Sequence, residues 1–154
     1  SHGKAYIHGS GKPEEIWTGD HDSFLESMAD ADKSIVKHFG DKIAFINVMR
    51  NMSVDCDCVA KAADPCMKDI GILVSEDPIA IDQACIDAAL KMPAMPNTEL
   101  TEMRDKLDAA GGVPEHCAHD HFNMTHPDTN WRSMIEHGEK IGLGTSNYEL
   151  IEVK

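Results

Sequence analysis

The sequence predicts an α/β fold: a layered domain with a partly parallel sheet of about four strands and helices packed on it. Three observations carry this. Two short apolar runs rich in Ile and Val, Lys42 to Met49 and Asp69 to Val74, read as buried strands. Longer segments carry apolar residues at steps of three and four and read as helices. The two kinds of segment alternate along the chain, which implies layers joined by crossovers.

Taken in order, Ala5 to His8 is a short strand, and Gly9 to Pro13 is a turn. Ser23 and Glu26 have the spacing of a capping box. Phe24, Met28, Ala31, Ile35 and Phe39 then recur on one helical face, so residues 23–39 form a helix that Gly40 stops. Residues 42–49 are a strand, 50–68 lack a period, and 69–74 are a second strand. Asp77 is placed as the N-cap of the next helix, with Pro78 in its first turn. That helix carries Ile81, Ala84, Cys85, Ala88, Ala89 and Met92 on one face, and Pro93 and Pro96 break it. Leu100, Met103, Leu107 and Ala110 mark a further helix closed by Gly111 and Gly112. Residues 113–130 are irregular and rich in histidine. Trp131, Met134, Ile135 and Ile141 mark the last helix, and the alternation from Tyr148 to Val153 predicts a final strand. Cys85, Met28, Met103 and Met134 are assigned to the core by their helical spacing.

At 154 residues with 42% apolar content, the chain is one α/β domain (1–154) able to bury about two-thirds of its unfolded surface. It begins Ser1-His2-Gly3 without Met, which reads as a cloning remnant or as a fragment of a longer protein. No apolar run approaches the ~18 residues of a membrane span, and no signal peptide is visible. The net charge of −13, with no basic cluster, disfavours nucleic acid. The five cysteines, an odd number without an export signal, suit a reducing cytoplasm and no disulfides.

Two polar clusters could carry chemistry. The first is Asp55, Cys56, Asp57 and Cys58, with Asp64 and Cys66 close behind, just past the strand 42–49. Thiolates and carboxylates bind metals, and loops at the carboxyl ends of strands gather ligands. The alternative is a turn capped by the aspartates, with the two cysteines as small apolar side chains. The second cluster runs from His116 through Cys117, His119, Asp120 and His121, followed by His126. Neutral imidazole is a ligand for zinc and iron, and His119 and His121 lie two apart, as in an extended chelating segment. The alternative is a solvated loop that tolerates histidine.

Asp55 to Cys58, then Asp69 to Ala84, then Glu139 to Gly144 and Tyr148 to Val153 together resemble an uncharacterised family of iron–sulfur-centre proteins, the domain of unknown function 362. The resemblance runs in order over residues 42–153 and lies in the family's C-terminal part. It matches the family pattern D-x-G-I-x-x-S-x-D-P at Asp69, Gly71, Ile72, Ser75, Asp77 and Pro78. It implies a cytoplasmic prokaryotic protein associated with iron–sulfur chemistry. Many members carry ferredoxin-like inserts that this sequence does not contain, so a standard four-iron cluster lacks its usual ligands here: either the insert lies outside the sequence, with a ferredoxin-like domain as partner, or it has been lost.

The leading functional expectation is a metal- or iron–sulfur-associated redox module of unknown substrate. Its cofactor is an iron–sulfur cluster or a single ion such as zinc or iron. The expected ligands are Cys56, Cys58, Asp55, Asp57, His119 and His121. Two alternatives stand beside it: a metal-dependent enzyme using the same loops, and a non-catalytic domain whose acidic loop serves interdomain or homo-oligomer contact.

Overall fold

A computed structural model describes residues 21–54, 61, 63–111, 120–126 and 130–153. The predicted strand Ala5 to His8 and turn 9–13 lie outside them. Among the described residues the order is α1 (His21–Phe39), β1 (Phe45–Met49), β2 (Gly71–Ser75), α2 (Pro78–Lys91), α3 (Glu99–Ala109), α4 (His121–Thr125) and α5 (Trp131–Lys140). No helix among them is long and apolar enough to cross a membrane.

The sheet departs from expectation. Among the described residues it has two strands, not about four, and they run antiparallel. A parallel pair needs a crossover, usually a helix, and between β1 and β2 the described residues contain none. The chain instead folds back, and the Ile70 N–H donates to the Met49 carbonyl at 3.0 Å. Tyr148 to Val153, the expected last strand, forms no strand, and Leu150, Ile151 and Val153 are exposed. Alternation supplies only a local tendency, and a strand also requires a partner edge.

Nor are the strands buried on both faces. Phe45, Asn47 and Met49 alternate with Ile46 and Val48, which are 65% and 60% exposed, and Ile72 and Val74 of β2 are exposed to the same degree. Side chains alternate across a strand, so one apolar face is uncovered among the described residues.

The chain divides into two compact units, residues 1–45, 74–84 and 128–154, and residues 46–73 and 85–127. In the first, α1 packs on α5 along a polar seam. The Ser133 hydroxyl donates to Asp22 Oδ1 at 3.0 Å. His137 Nε2 lies 3.0 Å from Asp30 Oδ1, and its Nδ1 lies 3.9 Å from Glu26. Lys33 Nζ donates to the Ile141 carbonyl. Partners rise together in number along both helices, so α1 and α5 run in the same direction. Ala29 is the buried residue of α1, while Ile35 and Phe39, expected on its inner face, are about half exposed. Gly40 does stop the helix: its φ is +59° and its N–H closes on the Val36 carbonyl.

Asp77 caps α2 as expected. Its Oδ1 accepts from the Ile79 and Ala80 N–H groups at 2.9 and 3.0 Å. Its Oδ2 accepts from the Thr145 N–H at 2.9 Å, tying the C-terminal loop to the helix start. A Cβ on Gly144 would fall inside this carboxylate. Glu139 closes the same loop: the N–H and hydroxyl of Ser146 hold its carboxyl below the ordinary value.

The second unit holds one hydrophobic cluster of Met49, Val54, Cys66, Met67, Ala89, Leu100 and Met124. Leu100, at 1% exposure, is its most deeply buried large side chain. Cys85 and Leu107 pack against it half-buried. The Thr98 N–H donates to Thr101 Oγ1 at 2.9 Å and starts α3.

Candidate metal centre

The residues of the D-x-G-I-x-x-S-x-D-P pattern have structural roles. Asp69 pairs with Arg50 and accepts the Asn51 N–H at 2.9 Å, closing the turn after β1, where Asn51 has φ +51°. Gly71 opens β2 with φ +142°, a conformation that an L side chain rarely adopts. The Ser75 hydroxyl accepts the Asp77 N–H at 3.0 Å, Asp77 caps α2, and Pro78 is the helix's first residue. Chemistry must therefore be sought in the two clusters.

Of the predicted ligands, Asp55, Cys56, Asp57, Cys58 and His119 lie outside the described residues, as do His116 and Cys117. The described flanks of both clusters share one core. Val54 precedes the first cluster and Cys66 follows it, while Met124 stands just after the second. All three are buried in the same hydrophobic cluster. Among the described residues the sheet is antiparallel, so it offers no parallel crossovers whose loops could gather over one edge.

Cys66 is held by its backbone. Its N–H donates to the Met52 carbonyl at 2.7 Å, and its carbonyl accepts from the Met95 N–H at 2.8 Å. Met67 then bridges to Ala94 in antiparallel fashion. Burial pushes the Cys66 thiol up from its ordinary value, so it stays protonated and behaves as a core side chain. Neither Cys66 nor Cys85 forms a disulfide among the described residues. Asp64 is exposed.

The histidine segment, expected to be irregular, contains the short helix α4. The signal was present: Asp120 stands where an N-cap should, and its Oδ1 accepts from the Phe122 and Asn123 N–H groups, each at 3.1 Å. Asp120 is 4% exposed and that oxygen is committed to the cap. The helix presents two imidazoles with different partners. His121 Nε2 lies 3.1 Å from the Met92 carbonyl oxygen. A carbonyl only accepts, so this nitrogen carries the proton and donates. In the neutral ring the lone pair is then on Nδ1, which is buried and has no partner among the described residues. His126 Nε2 lies 3.2 Å from the Val54 carbonyl and donates to it in the same way. Sequence reasoning named His126 without a role, because its partner lies 72 residues away.

This arrangement suits a metal ligand. Metal-binding imidazoles characteristically donate their second nitrogen to a carbonyl or carboxylate, which fixes the tautomer and aims the free lone pair. His121 has that geometry. Among the described residues alone, no three His, Cys, Asp or Glu side chains gather closely enough to hold an ion. Further donors would have to come from the undescribed members of the two clusters.

The model of a family described as "Domain of unknown function (DUF362)" matches residues 1–87. The match takes in Asp55 to Cys58 and Asp69 to Pro78 and ends before Glu139 to Gly144 and Tyr148 to Val153. No curated protein and no solved structure matches the chain.

Proposed function

We propose that the chain, which belongs to the family of the domain of unknown function (DUF362), is a metal-holding redox module. His121 supplies a ligand through Nδ1, and Cys56 and Cys58 supply thiolates. The observation that carries this reading is the Nδ1 of His121, buried and without a partner among the described residues, whose ring is oriented by the Met92 carbonyl. A buried nitrogen without a partner is costly, and a metal ion is a partner that satisfies it. The shared core beneath Val54, Cys66 and Met124 supports bringing the thiol segment to the same place. Imidazole and thiolate donors suit zinc or iron, and iron, when bound, supplies one-electron chemistry. Asp55, Asp57 and His119 complete the donor set from which the remaining ligands are drawn.

The test is a pair of variants. Cys56 and Cys58 are replaced by Ser in one, and His119 and His121 by Ala in the other, and bound metal per chain is measured in each. Both should lose the metal that the unmodified chain holds. Full retention by the histidine variant would remove His121 from the site.

A further inference from the structure

We infer that Pro93 and Pro96 are positioning residues for His121: they keep the Met92 carbonyl free to orient its imidazole. The inference deepens the metal-centre reading above, and it rests on that reading for what the ring does, not for how the ring is held. α2 ends at Lys91, and the Met92 N–H still closes on the Ala88 and Ala89 carbonyls at 3.1 and 3.2 Å. The last carbonyls of a helix have no donor within it. Were α2 to run on, the Met92 carbonyl would be taken by the N–H four residues later. That residue is Pro96, which has no N–H. Pro93 acts one step earlier, since a proline turns the residue before it out of the helical conformation. The two prolines thus spare this carbonyl, and His121 Nε2 lies 3.1 Å from it.

The segment that presents the carbonyl is clamped. Ala94 bridges to Met67 in antiparallel fashion, and the Met95 N–H donates to the Cys66 carbonyl at 2.8 Å. The Thr98 hydroxyl donates to the Met95 carbonyl at 2.8 Å. Cys66 and Met67 are buried in the hydrophobic cluster, which anchors the clamp in the core. The ring is mounted as firmly, because Asp120 caps the short helix that begins at His121. A carbonyl only accepts, so the contact selects the Nε2–H tautomer. The lone pair is then on Nδ1, the nitrogen that is buried and without a partner among the described residues.

The experiment uses the full chain, metal-free, with isotope-labelled histidine. Ring nitrogen shifts read by NMR at about pH 8.5 report the tautomer of each neutral imidazole. The His121 signals are assigned by their loss in His121→Gln. The unmodified chain should hold His121 as the Nε2–H form. With Pro93→Ala and Pro96→Ala combined, the new N–H at position 96 competes for the Met92 carbonyl. The ratio of Nε2–H to Nδ1–H forms should then fall about five- to tenfold. Pro93→Ala alone lets position 93 donate to the Ala89 carbonyl and draws Met92 into the helix. Its ratio should fall at least about twofold, which keeps the test open if the double variant does not fold. Pro78→Ala, at the first residue of α2, should leave the ratio unchanged. The second readout is zinc and ferrous iron affinity, expected to fall about 10–100-fold in the double variant, as for other losses that misorient a ligand. A shifted ratio in a chain that binds neither metal would sink the metal centre and leave the positioning role standing. An Nδ1–H ring in the unmodified chain, an unchanged ratio in the proline variants, or an equal shift in Pro78→Ala would overturn the positioning role whatever the metal result.

Discussion

Leu100→Ala should lower stability by about 2–5 kcal/mol, among the largest losses available to a single truncation in this chain. Leu100 is 1% exposed and belongs to the cluster that contains Met49, Val54, Cys66 and Met124. Removing its branched end leaves a cavity among side chains held from several directions. Val54 and Cys66 are fixed through backbone hydrogen bonds around them, and Met124 by the cap of α4. None can collapse freely into the space, which places the loss toward the upper part of that range. Urea unfolding followed by circular dichroism measures it. A loss below about 1 kcal/mol would mean that this cluster is not the core of its unit.

Gly144→Ala should cost about 2–4 kcal/mol, for a different reason. The new methyl would fall inside the Asp77 carboxylate. That carboxylate accepts from Ile79, Ala80 and Thr145, so moving it releases three N–H groups, two of them in the first turn of α2. Overpacking and the lost cap combine. The decisive control is the double variant. With Asp77→Ala already present, the obstacle is gone, and the added cost of Gly144→Ala should shrink to a small fraction. Additive losses would show that the clash with Asp77 is not the cause.

The parts of the fold that were legible in the sequence are those fixed by near neighbours. Asp77 and Pro78 announced the start of α2, and Gly40 announced the end of α1, because caps and stops act over three or four residues. The faces of the strands were not legible. Ile46, Val48, Ile72 and Val74 are as apolar as any core residue, yet lie on an uncovered face. Strand direction escaped for the same reason: whether a strand pairs with its successor in parallel or folds back depends on what joins them, not on its own residues. In α1, Ile35 and Phe39 shared a helical face with Met28, but a polar seam of Asp22, Asp30 and Lys33 is what meets α5. The candidate site shows the same division. The residue types at His121 and His126 were visible, but not their roles, because the Met92 and Val54 carbonyls that distinguish them lie 29 and 72 residues away.

The central claim is that this chain holds a metal through His121 and the thiol segment. The most direct measurement is metal content with a visible spectrum, taken on protein purified without oxygen and again after incubation with ferrous iron or zinc. The account predicts stoichiometric bound metal, with iron giving visible absorption that reduction alters, and with His121→Ala losing that metal. A folded, unmodified chain that retains neither iron nor zinc under either condition would contradict it.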